Sequence, residues 1–185
     1  MESMDTIIFI IASAILLWVS RKNLLQPRSH GFYRFLAWEC MLLLLLRNYS
    51  FWFDSRFAWY QLLSWCLLFL SIVFVVLGSI QLRQHGAATS QRDHENLLSF
   101  EKTSKLVSTG IYRYISHPLY GSLLLLTWGL FFKQPFSLLG ISLALIASSF
   151  LVLTAKIEEQ ENRAYFGEAY VTYQGSTKRF LPWVW

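Results

Sequence analysis

An all-α fold, a polytopic bundle of about five membrane-spanning helices, is predicted here by three observations. The 185 residues are 55% hydrophobic and 17% aromatic, too apolar for a soluble domain of this length. The apolar residues gather in long runs rather than in the alternation of a half-buried strand. The sixteen Lys and Arg stand beside those runs, as cations flank membrane helices. That placement also argues against nucleic acid as the partner of a net charge of +5. The length fits one domain, residues 1–185.

The elements follow in order. Residues 6–19 are apolar behind an acidic start, Met1-Glu2-Ser3-Met4-Asp5. A cleaved signal peptide opens on basic residues, so a first span is expected, ended by Ser20-Arg21-Lys22. A polar loop with Gln26-Pro27 and Ser29-His30-Gly31 leads to a second span, 32–46, closed by Arg47 and holding Glu39. Residues 48–58 form an aromatic-rich connection, with Trp52 and Trp59 placed as interface anchors. The third span, 60–82, is the cleanest. A hydrophilic segment, 83–117, precedes the fourth, 118–132, whose fifteen residues rise only about 22 Å. It is expected to tilt little, or to pair as a hairpin with the fifth, 136–155, across the turn Lys133-Gln134-Pro135. Cys40 and Cys66 lie inside apolar runs. They read as small buried hydrophobes, with no disulfide and no metal site expected. No internal repeat is visible.

Sidedness follows from the cations. With the N-terminus outside, only Arg47, Arg56 and Lys133 of the sixteen remain outside. The bias puts the 83–117 segment and the C-terminus on the cytoplasmic side, within reach of a soluble cofactor.

The most informative run is Leu106-Val-Ser-Thr-Gly110-Ile-Tyr112-Arg-Tyr-Ile-Ser-His117-Pro118-Leu-Tyr120-Gly121. Proline crowds the residue before it, so His117 is kept out of the helical region. Pro118 then opens a helix, where its missing donor costs nothing. The helix N-terminus offers free donors and partial positive charge to an anionic group such as a carboxylate. Gly110 lets the chain turn, and Gly121 leaves room for a neighbour.

This run resembles the cofactor segment of isoprenylcysteine carboxyl methyltransferases, in the wider group that includes phospholipid methyltransferases. Leu-Val-x-x-Gly-x-Tyr and His-Pro-x-Tyr carry the likeness, joined by Glu158-Glu159, Tyr165-Phe166-Gly167-Glu168-Ala169-Tyr170 and Arg179-Phe180-Leu181-Pro182. It covers about residues 97–182. The resemblance implies S-adenosyl-L-methionine as cofactor, with contacts at Ser104, Lys105, Leu106, Val107, Tyr112, His117, Pro118, Leu119, Tyr120 and Glu158. The residue types suit that molecule. The helix start at His117-Pro118 receives its carboxylate, with Lys105 as a nearby cation. Tyr112 and Tyr120 face the adenine or the sulfonium. Glu158 takes the ribose diol or the ammonium. Each has a plainer reading. His117 alone reads as a helix cap, Tyr112, Tyr114 and Tyr120 as interface tyrosines, and Glu158, Glu159 and Glu161 as a solvated helix start. Glu161 and Tyr165 share a helical face. His85 and His94 read as loop residues.

Three positions depart from the family pattern. Ser116 stands where arginine usually precedes the histidine, Thr154 where an arginine contacts the prenylated substrate, and Leu97 where a glutamine touches the cofactor. The cofactor half of the likeness is retained more fully than the substrate half. The implied reaction is methyl transfer onto a lipophilic substrate entering from the bilayer, most like prenylcysteine carboxyl O-methylation. A carboxylate acceptor needs no base. An amine, as in phosphatidylethanolamine, does, and the only candidates are Glu39, a carboxylate within a span, His117 and Glu159. A sterol-reductase-like protein using NADPH is the rival enzyme class, and a non-catalytic membrane partner the third reading.

Overall fold

The computed structural model describes residues 3–86 and 105–182. Those residues form six α-helices and two short 3-10 turns, with no strand among them. The helices are α1 (Ser3–Leu24), α2 (His30–Asn48), α3 (Trp59–His85), α4 (Pro118–Phe131), α5 (Leu138–Phe166) and α6 (Glu168–Ser176). Three of them, α1, α3 and α5, are long and apolar enough to cross a membrane. α4 has 14 residues, a rise of about 21 Å, and α2 carries Arg34, Glu39 and Arg47 within its 19.

The largest difference from the expected elements is in α5, which continues past residue 155 to Phe166. Hydropathy ends at Ala155, but the following Lys-Ile-Glu-Glu-Gln-Glu-Asn-Arg-Ala run is rich in helix formers and has no breaker. The helix stops only at Gly167, whose φ of 60° suits a residue without a Cβ.

Packing proceeds in pairs. α3 lies against α4 and α2 against α5, while α1 rests chiefly on α2. Small residues bring α3 and α4 together. A Cβ on Gly129 would come within 2.8 Å of the Leu68 side chain. Ser64 Oγ donates to Gly129 O at 2.7 Å, and Ser71 Oγ to Ser122 O at 2.8 Å. At one end of the bundle Ala37, Met41, Ala147, Leu151 and Ala155 form a core with Tyr120 and Phe180. At the other, Leu44, Leu68, Leu130, Phe131 and Ala144 form a second. The outer face of α1, with Ile7, Ile11, Ile15 and Trp18 exposed, is apolar surface of the kind acyl chains cover.

Two expectations are corrected. Cys66 is exposed and Cys40 only half-buried, because an apolar run supplies a lipid-facing side as well as a core-facing one. Lys133 is not a solvated flank. It is 1% exposed, donates from Nζ to Gln61 Oε1 at 3.1 Å, and sits 3.6 Å from the Trp65 ring centroid. Gln61 Nε2 donates in turn to Phe51 O at 2.8 Å. Burial lowers the lysine to about 8, against the pull of the indole faces toward the charged form.

Candidate functional site

The site begins in the backbone before α4. Gly110 has φ +59°, and a Cβ there would lie 2.5 Å from the Gln81 side chain, so the turn closes directly onto α3. The next residues are clipped to the C-terminal tail. Ser116 N–H donates to Lys178 O at 2.7 Å, His117 N–H to Arg179 O at 3.0 Å, and Lys178 N–H to Tyr114 O at 3.0 Å. Tyr173 of α6 adds a phenol donated to Tyr112 O at 2.8 Å. His117 takes φ −127° and ψ 63°, outside the helical region, and Pro118 opens α4. The pre-proline restriction accounts for that non-helical backbone.

These elements enclose a cavity of about 670 Å³, its open mouth included. Leu106, Val107, Tyr112, His117, Pro118, Leu119, Tyr120 and Glu158 line it. Lys105 does not. It is exposed, and its N–H donates to Gly86 O at 3.3 Å. Ser104, like Leu97 and His94, lies outside the described residues. The wall also includes Leu82, Ser116, Asn162, Phe166, Tyr170 and Tyr173, none of which was singled out as a contact. A signal existed for part of this set. Glu158, Asn162 and Phe166 are spaced by four on α5 and form one stripe.

Glu158 and Glu159 point to different partners. Glu158 faces the cavity and the Tyr120 phenol. Glu159 is buried and takes Arg179 with both oxygens, Nε to Oε1 at 2.7 Å and Nη2 to Oε2 at 2.9 Å. That hydrogen bond, foremost, raises the Arg179 guanidinium further above its ordinary value. His117 Nε2 stands 3.4 Å from Glu159 Oε1, and its ring stacks on Tyr120 at 5.5 Å. Burial pushes the Tyr170 and Tyr173 phenols well above their usual range, so they stay neutral walls of the cavity. Glu39 is elsewhere. It lies on α2 and accepts from Ser13 Oγ of α1 at 2.7 Å, outside the cavity lining.

A carboxylate, a helix start, four tyrosines and an apolar floor suit a ligand that is cationic at one point, anionic at another and flat at a third. S-adenosylmethionine has that description, and the wall fits it.

The sequence model of the phospholipid methyltransferase family matches residues 59–169, from the start of α3 through the first residues of α6. Among curated proteins, the chain is 27% identical over 124 residues to protein-S-isoprenylcysteine O-methyltransferase B of Arabidopsis thaliana, covering 65% of this chain and 61% of that protein. It is 25% identical over 122 residues to a probable protein-S-isoprenylcysteine O-methyltransferase of Oryza sativa subsp. indica, covering 65% and 63%. The matched segment thus spans less than two thirds of these relatives. No solved structure matches.

Proposed function

Because the chain belongs to the phospholipid methyltransferase family, we propose that it is a membrane methyltransferase that uses S-adenosylmethionine on a lipophilic acceptor. The observation that carries this reading is the shared wall of His117–Tyr120 and Glu158. These residues are far apart in sequence and meet beside one helix start.

In this reading the start of α4 takes the cofactor carboxylate, Glu158 the ribose hydroxyls or the ammonium, and Tyr112 and Tyr120 the adenine or the sulfonium. Bound there, the cofactor supplies an electrophilic methyl group. The tail clip and α6 keep water from the methyl, and Arg179 holds Glu159 ionised so that His117 keeps its orientation. Five helices span the bilayer, with the N-terminus outside and the cavity at the cytoplasmic face. The acceptor enters sideways from the lipid. A prenylcysteine carboxylate is supported by the names of the curated relatives. A phospholipid amine is the second reading, favoured by the family description.

The test is calorimetric binding followed by transfer of a labelled methyl group to prenylcysteine analogues and to phospholipids. Glu158→Gln and His117→Ala are expected to weaken cofactor binding by about tenfold or more, the loss of one charge-assisted hydrogen bond. Tighter binding of NADPH than of S-adenosylmethionine would point to reduction instead.

A further inference from the structure

Another group of residues meets at the end of the bundle away from His117 and Glu158. Arg47 lies in the last turn of α2, about 26 Å along that helix from its first residue, His30. It lines a cavity of about 1050 Å³, open mouth included, walled by the starts of α1 and α5 and the end of α2. Its guanidinium donates from Nη2 to Ser137 Oγ at 2.8 Å. Arg47 Nε is buried and has no hydrogen-bond partner among the described residues. Ser50 and Gln134 add polar groups to the wall, and Asp5 adds a carboxylate. Toward the middle of the bundle the wall becomes apolar. Leu43 stands one turn before Arg47 on α2, and Leu143 one turn beyond Leu139 on α5.

An arginine at the end of an apolar helix ordinarily reaches water. Arg47 instead buries a donor that no protein acceptor takes, which is costly for a charged group. It also makes no ion pair among the described residues. The abundant anion at a membrane boundary is the lipid phosphate, and the guanidinium fork matches its paired oxygens. A cation near the mouth with an apolar floor beneath it repeats the order of groups in a phospholipid, headgroup first and acyl chain below. We propose that this cavity holds a phospholipid of the leaflet opposite the methyl-transfer cavity, with its phosphodiester on Arg47 and an acyl chain against the leucines. Asp5 sets the charge limit. The single negative charge of a phosphodiester is matched by Arg47, whereas the second charge of a phosphomonoester meets the carboxylate.

Position separates this lipid from the methyl acceptor. The cavity shares no lining residue with the one formed by His117, Tyr120 and Glu158. A lipid seated among Asp5, Arg47 and Leu139 touches α1, α2 and α5 at once. It thereby fastens the start of α1, which otherwise rests chiefly on α2. Its duty is structural, so its binding is independent of the cofactor and of methyl transfer.

The experiment titrates the full-length protein in detergent and counts retained lipid by native mass spectrometry. The probe is dioctanoylphosphatidylglycerol, a phosphodiester with neither an amine nor a carboxylate to accept a methyl group. Saturable binding is expected, with dioctanoylglycerol, which lacks the phosphate, held about tenfold more weakly, the worth of one charge-assisted hydrogen bond. Arg47→Gln should weaken phosphatidylglycerol by about the same tenfold and leave dioctanoylglycerol within about twofold. Glu158→Gln should leave both unchanged. Asp5→Asn should improve dioctanoylphosphatidic acid relative to phosphatidylglycerol by about threefold or more, because the carboxylate no longer opposes the second charge. Equal affinity for the two probes, or equal affinity in Arg47→Gln and the unaltered protein, overturns the proposal. Binding lost in Glu158→Gln and kept in Arg47→Gln would place the lipid in the methyl-transfer cavity and overturns it as well. If Arg47→Gln fails to fold, an unchanged ratio of phosphatidic acid to phosphatidylglycerol in Asp5→Asn overturns it instead.

Discussion

Arg179 grips Glu159 with two bonds of 2.7 and 2.9 Å, and this pair ties the tail to α5 beside the cavity. Glu159 is 5% exposed, so Arg179→Gln would leave a buried carboxylate with only His117 Nε2, 3.4 Å away, as compensation. The expected loss is about 3 kcal/mol, the low end for a broken buried pair. Adding Glu159→Gln should restore at least half of it, read as thermal stability in a double-mutant cycle. Strict additivity would show that the two side chains are not coupled. Gly110 carries a different burden, a positive φ and a tight approach to Gln81. Gly110→Ala should cost about 1–3 kcal/mol through that backbone strain. Relieving the contact with Gln81→Ala should recover only the steric part, because the φ of +59° remains. A full recovery of stability by the second substitution would mean that crowding, not conformation, selects glycine.

At the scale of elements, α5 shows what was legible and what was not. Its apolar half is plain from hydropathy, and Glu158 was singled out by its match to the family's glutamate pair, since its place after that run alone reads as a solvated helix start. The continuation to Phe166 was not, because a helix that leaves the membrane keeps its backbone pattern while losing its hydropathy. The stripe of Glu158, Asn162 and Phe166 becomes visible only once helix is assumed there. His30, buried at the start of α2 with Nδ1 2.7 Å from Glu161 Oε2, escaped for a related reason. It sits in a polar loop sequence, and nothing in that loop says that α2 will lay it against Glu161. Lys133 escaped because a cation at the end of an apolar run is normally solvated, whereas here two indoles and Gln61 were already positioned to take it. This last site has a pH signature. Burial lowers the lysine to about 8 from its ordinary 10.5, so the unfolded chain binds more protons between those values. Stability should then rise with pH from about 8 to about 10.5 and be insensitive to this group below. Lys133→Met should remove that rise. Thermal midpoints of the two proteins across pH 7 to 10 check it, and parallel curves would mean that the ammonium stays charged throughout.

Across the whole molecule, the apolar runs and the uneven cations predict sidedness without predicting which helices touch. The pairing of α3 with α4 and of α2 with α5 depends on small residues and on polar contacts between distant segments, and neither has a periodicity to read. Yet the pairing of α2 with α5 is what brings His30 to Glu161, at the same end as the tail clip. If the cations set the orientation, that end faces the cytoplasm, and the Lys133 box faces the opposite side. Two exposed aromatic residues mark the two ends. Phe57, 90% exposed, precedes α3, and Tyr114, 50% exposed, lies in the clip before α4. With Cys40 and Cys66 replaced by alanine, Phe57→Cys should react with a membrane-impermeant maleimide applied to intact cells. Tyr114→Cys should react only after the membrane is opened. The reverse pattern would turn the molecule over and place the cavity away from a cytoplasmic cofactor. Reaction of both from one side would mean that α3, the most apolar of the long helices, does not cross. The cavity would then have to draw its lipid acceptor from a surface, since a bundle that does not span has no lateral opening at mid-membrane depth.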